Sequence, residues 1–185
     1  MRASSFGPGA LATPANAITI ARLVLTPVWL AVVIDRGPSW TAFLLGFVLA
    51  STDGFDGWLA RKQGTTRSGA FLDPLADKFL VVGGMWALAV QGAFWWFPVL
   101  LVTVREAVIS LYRSYAGRRG ISIPARWWAK VKTVVQEVAM AFALLPLTAD
   151  SDVMAKSVLW IAVALTLVTG AQYLIDGRKA AAGAL

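Results

Sequence analysis

Long apolar runs, separated by short polar or charged connections, dominate the chain. They fall near residues 15–34, 40–60, 70–90, 94–115, 127–148 and 154–175. Each is long enough to cross a bilayer as a helix of about 20 residues, the only open-chain structure that satisfies its own backbone groups in hydrocarbon. Only Gln91-Gly92-Ala93 separate the third run from the fourth, which predicts a tight hairpin. Thr13-Pro14 reads as an N-cap followed by a proline in the first helical turn. The expected fold is all-α: a polytopic membrane protein with six transmembrane helices over residues 15–176. Residues 1–14 read as a mobile or membrane-surface leader without an evident signal-peptide cleavage site, and residues 177–185 as a C-terminal tail.

Composition agrees with that pattern. Of 185 residues, 58% are hydrophobic and 15% charged, and the mean hydropathy is +0.66, outside the range of an ordinary soluble domain. The chain has no cysteine and no histidine. Disulfides, thiolate nucleophiles, Cys- and His-based metal sites and the commonest general base are thereby excluded. Chemistry must come from carboxylates, Lys, Tyr, Ser or Thr. The net charge of +7 fits anionic membrane lipids and the positive-inside bias, not nucleic acid. With the N-terminus in the cytoplasm, all 17 Lys and Arg residues except Arg36 and Lys156 face inward. Both termini are then cytoplasmic. Trp40, Trp95 and Trp96 fall at the outer interface, and Trp58, Trp127 and Trp128 at the inner one.

One stretch breaks the apolar pattern: DGFDGWLARKQGTTRSGAFLDPLAD, from Asp53 to Asp77. It bridges the second and third spans at the cytoplasmic face. Asp53 and Asp56 are three apart and Asp73 and Asp77 four apart, so each pair occupies one helix face. Gly57 and Ala60 continue the first stripe with almost no side chain, and Gly69 opens the second helix in the same way, so a bulky ligand can lie against the backbone. Four carboxylates at the mouth of two packed helices repel unless cations sit among them. An oxygen-only donor set selects hard ions, Mg²⁺ or Mn²⁺, one or two per site, and such ions complete their shells with phosphate oxygens. Two other readings compete: a structural cluster paired with Arg61 and Lys78, or the acidic lining of a cation transporter or metal-binding scaffold. The gathering of charge at one membrane face favours the phosphoryl site.

The spacing Asp53-x2-Asp56-Gly57-x2-Ala60-Arg61-x7-Gly69-x3-Asp73-x3-Asp77 resembles, without gap or substitution, the motif of the CDP-alcohol phosphotransferase family. That resemblance implies six transmembrane helices, a cytoplasm-facing site, a homodimer, and transfer of a phosphatidyl or similar group from a CDP-linked donor to an alcohol with release of CMP. It further implies a two-metal site at Asp53, Asp56, Asp73 and Asp77, with Asp77 also the general base. Gly57, Ala60, Arg61 and Gly69 would line the nucleotide pocket.

Outside the motif, SGAFLDPLADK, VREAVISLYR and WWAKVKTVVQ are similar to the branch of the family that joins CDP-diacylglycerol to sn-glycerol 3-phosphate. An acceptor that is itself a phosphate needs cations. Arg105, Arg113, Lys130 and Lys132 match the branch-like segments and lie at or within helix ends. Arg118, Arg119 and Arg126 read as solvated or headgroup-facing, and Glu106 as an orienting partner for Arg105 or a direct ligand. In the first span, Asn16, Thr19 and Arg22 cover an arc of roughly 120°. The segment NAITIARL is similar to the first helix of that branch, so this arc is expected to face the acceptor; the alternative is that Arg22 neutralises one of the carboxylates. Gly69-Ala70 and Gly83-Gly84 either leave room for acyl chains or let helices pack closely. The expectation is a bacterial cytoplasmic-membrane phosphatidyltransferase, with a related enzyme using inositol phosphate, inositol or another alcohol as the alternative.

Overall fold

The computed structural model describes residues 13–63, 67–119, 127–148 and 151–182. Among them are six α-helices and no strand: α1 (Pro14–Arg36), α2 (Trp40–Gln63), α3 (Arg67–Val90), α4 (Trp96–Arg118), α5 (Trp128–Leu144) and α6 (Asp152–Ala182), with a 3₁₀ turn at Pro146–Thr148. Each apolar run has become a helix. The helices also extend into the polar flanks, because α2 and α3 carry the Asp53–Asp77 motif and α6 continues to Ala182, into the stretch expected to be a tail. Of the expected leader, residues 1–12 lie outside the described residues, and Pro14 already belongs to α1.

Local chemistry sets the helix ends. The Thr13 hydroxyl accepts the Asn16 N–H at 3.1 Å, and Pro14 fills the first turn, where its missing N–H is no loss. The α3–α4 hairpin turns at Gly92, whose φ of 80° side chains disfavour.

Two groups of three helices make up the bundle. α1 packs chiefly on α2 and α3, and α6 on α5 and α4; lighter contacts of α3 with α4 and α5, and of α2 with α5, join the groups. Trp29 of α1 sits where α2, α3 and α5 meet. It is 3% exposed, and its indole N–H donates to the Ala42 carbonyl at 2.9 Å. Its ring lies against the glycines of two neighbours. A Cβ at Gly46 would stand 2.9 Å from Trp29 Nε1, and one at Gly84 would stand 2.6 Å from Trp29 Cη2 and 2.8 Å from Met140 Sδ. Gly83 faces Leu30. The Gly83-Gly84 pair thus serves close helix packing.

The outer surface is apolar. Val24, Val28, Phe47, Phe71, Leu111 and Val153 are each more than half exposed, which suits lipid and not water. Two segments are by themselves long and apolar enough to cross a membrane, Pro14–Arg36 at mean hydropathy 2.2 and Val153–Lys179 at 1.9. The apolar part of α2 is shorter, Trp40–Phe55, because the motif's aspartates begin within it. Trp95 stacks obliquely near Trp160, with ring centroids 6.5 Å apart, and Trp127 meets Trp128 edge-on at 5.3 Å. The Trp58 side chain lies outside the described residues.

Gly84→Ala is expected to lower the stability of the detergent-solubilised protein by about 1–3 kcal/mol, because the new methyl meets two packed side chains. Gly83→Ala meets only the flexible end of Leu30 and should cost less. Thermal unfolding of the two variants side by side checks the ordering.

Candidate active site

One face of α1 gathers the motif. Asn16 Nδ2 donates to Ser68 Oγ at 2.9 Å, Thr19 Oγ1 to Asp73 Oδ1 at 2.9 Å, and Arg22 NH1 to Asp53 Oδ1 at 2.7 Å. Arg22 Nε also donates to Thr52 Oγ1 at 3.1 Å. The period of three places these side chains in the groove between α2 and α3. All three are buried, Arg22 to 1% exposure, whereas the Asp53 side chain remains 50% exposed. A guanidinium taken out of water must be compensated by an anion and further hydrogen bonds, and Asp53 with Thr52 provides both. This is the arrangement in which Arg22 neutralises a carboxylate. The polar atoms of the arc are directed at the motif.

Asp77 stands one helical turn beyond Asp73. It is part-buried and has no hydrogen bond or ion pair among the described residues, yet it lies within electrostatic reach of Asp53, Lys132, Arg22 and Glu106. Glu137 of α5 is within reach of Asp77, Asp53 and Arg22. It also lines a cavity of about 310 Å³ with Trp29, Phe47, Leu80 and other apolar residues. Gly57 is part-buried and Gly69 buried. Asp56, Ala60 and Arg61 occupy their expected places on α2, but their side chains lie outside the described residues. Among the described residues no group of three or more His, Cys, Asp or Glu is poised to hold a metal ion. The donor chemistry nevertheless suits a hard cation: Asp77 is unengaged, and Asp53 and Asp73 each use only Oδ1 in the contacts described.

Cations come from α4 and α5, with α6 supporting one of them. On α4, Arg105 NH1 donates to Glu106 Oε1 at 2.7 Å, Arg105 Nε to the Thr166 carbonyl at 3.0 Å and Arg105 NH2 to Thr169 Oγ1 at 3.1 Å. Lys132 of α5, 6% exposed, bonds to the same Glu106 oxygen. Arg113 and Lys130 are exposed, as are Arg118 and Arg119, the latter stacked 4.4 Å from the Tyr115 ring centroid. Arg126 lies outside the described residues. Arg113 also borders a cavity of about 810 Å³ between α3 and α4, where Lys78 bonds to Ser110. Neither cavity includes the aspartates themselves.

Residues 12–168 match the family model described as CDP-alcohol phosphatidyltransferase. The chain belongs to that family. Curated relatives extend the match over most of its length. It is 38% identical over 176 residues to a "Probable phosphatidylglycerophosphate synthase" of Mycobacterium tuberculosis, covering 90% of this chain and 82% of the relative. It is 36% identical over 165 residues to a "CDP-diacylglycerol--glycerol-3-phosphate 3-phosphatidyltransferase" of Haemophilus influenzae, covering 85% and 89%. A Rickettsia felis protein of the same name is 36% identical over 171 residues, covering 89% and 94%.

Within this CDP-alcohol phosphatidyltransferase, several site-forming residues escaped the sequence reading. Glu137 had a usable signal, an acidic residue inside an apolar span. Thr166 and Thr169 had none, since hydroxyl-bearing residues are common wherever membrane helices pack. The different attachments of the aspartates have a measurable consequence. Asp53→Asn should lower the melting temperature in detergent, because it weakens the partner of a buried guanidinium, whereas Asp77→Asn should leave it unchanged. Equal melting temperatures for the two variants would contradict the pairing described.

Proposed function

We propose that this protein transfers the phosphatidyl group of CDP-diacylglycerol to sn-glycerol 3-phosphate, forming phosphatidylglycerophosphate and CMP. The observation that carries the reading is the unbroken eight-position motif in a chain 36–38% identical, over 85–90% of its length, to relatives bearing the names of that reaction. Asp77 supports it, because a carboxylate with no hydrogen bond or ion pair among the described residues is free to take a proton from an incoming hydroxyl. In this reading the acceptor hydroxyl oxygen bonds to the β-phosphorus of the donor and the bond from that phosphorus to the CMP oxygen breaks. The hydroxyl proton passes to an Asp77 carboxylate oxygen.

Asp53, Asp56, Asp73 and Asp77 are the residues we assign to Mg²⁺ or Mn²⁺, which when bound would offset the charge of the pyrophosphate. Gly57, Ala60, Arg61 and Gly69 are assigned to the cytidine nucleotide. Lys132, Lys130 and Arg113 are assigned to the acceptor phosphate, and Arg105 to holding the pair of Glu106 and Lys132. Asn16, Thr19 and Arg22 take the role of holding the aspartates, in place of the acceptor contact expected of them. We place all six helices across a bacterial cytoplasmic membrane, both termini and the site facing the cytoplasm. The charge asymmetry and the apolar outer surface support that placement.

The decisive measurement is CMP release from CDP-diacylglycerol by the purified protein, with sn-glycerol 3-phosphate and inositol phosphate compared as acceptors. Release with the former is expected; release only with the latter would move the protein to another branch of the family, and none with any acceptor would remove the reading. Asp77→Asn is expected to abolish turnover while donor binding persists. Topology has its own test, because the chain lacks cysteine. A single cysteine at Pro38 should react with a membrane-impermeant maleimide in intact cells, and one at Arg118 only after the membrane is opened.

A further inference from the structure

Arg105 is held by α6 on two of its three nitrogens. Nε meets the Thr166 carbonyl at 3.0 Å and NH2 meets Thr169 Oγ1 at 3.1 Å, leaving NH1 to bind Glu106 at 2.7 Å. Glycine at residue 170 lets the side chain lie close against α6. A Cβ there would stand 3.1 Å from Arg105 Nε and 3.2 Å from its Cγ. The same helix reaches α5, since Gln136 Nε2 donates to Thr166 Oγ1 at 2.9 Å, and Gln136 is one turn from Lys132. Thr166 is 0% and Gln136 1% exposed. Lys132 is therefore located twice from α6: through Arg105 and Glu106, and through the α5 backbone by way of Gln136. Its ammonium lies within electrostatic reach of Asp77.

We infer that Thr166, Thr169 and Gly170 form a shelf on α6 that positions the Lys132 ammonium for the acceptor phosphate by fixing Arg105 and, through it, Glu106. These are positioning residues. None touches the reacting atoms; they set how accurately the cation meets an anionic acceptor, and so affect acceptor binding more than donor binding. The inference rests on the assignment of Lys132 to the acceptor in the proposed reaction.

The test uses the full-length protein in detergent or lipid with both substrates. Thr169→Val removes the hydroxyl at nearly constant volume. It is expected to raise KM for glycerol 3-phosphate by about 3- to 10-fold, the order for one net hydrogen bond, with KM for CDP-diacylglycerol unchanged. Thr169→Ser should restore the KM. Gly170→Ala, which displaces Arg105 by a different route, should show the same selective rise and provides a second variant if Thr169→Val does not fold. In a double-mutant cycle, Thr169→Val added to Lys132→Ala should have no further effect on acceptor KM. Additive effects, a lowered melting temperature without a KM change, or equal changes for both substrates would overturn the shelf. If Lys132→Ala leaves acceptor KM unchanged, the acceptor assignment is wrong and the inference falls with it. If Lys132→Ala raises KM while Thr169→Val and Gly170→Ala do not, only the inference falls.

Discussion

A buried guanidinium requires an anion, and in this bundle that requirement organises the site. Among the described residues Arg22 is the bulkiest of the fully buried side chains, on a helix otherwise largely apolar. Removing it from water carries a desolvation cost of several kcal/mol that only a close carboxylate and further hydrogen bonds can offset. Asp53 and Thr52 of α2 meet that need. Because Thr19 on the same face of α1 holds Asp73 of α3, one helix determines where two others present their acids. The acidic stripe of the family motif is therefore held from behind.

Against this framework Asp77 stands out. Asp53 and Asp73 are anchored, while Asp77 has no hydrogen-bonding partner among the described residues. A group that receives a proton during turnover must change its interactions, and a fixed ion pair would oppose that change. An unanchored acid keeps both oxygens open to a cation or to a proton. The basic residues show the same contrast, with Arg105 tied to α6 at two nitrogens and Lys130 left exposed.

The six helices were readable because each apolar run is long and has clear polar ends, and the motif was readable because its spacing repeats the helical period. What could not be read was the destination of each polar side chain. The arc of Asn16, Thr19 and Arg22 announces a polar face, but whether that face meets a substrate or a neighbouring helix depends on tertiary packing. Gly83-Gly84 is consistent with an acyl groove or with close packing until Trp29 is seen against Gly84. Thr166, Thr169 and Gly170 resemble ordinary residues of a membrane helix until Arg105 is found lying across them. Glu137 is different. An acid within an apolar span carries its own signal in the sequence.

The division into two helix triplets has a mechanical consequence. The motif acids belong to α2 and α3 and are held by α1; the cations with the densest support belong to α4 and α5 and are held by α6. The border between the triplets carries lighter packing than either interior. A molecule that engages both sets of charges straddles this border, where fewer packed side chains oppose a shift of one triplet against the other.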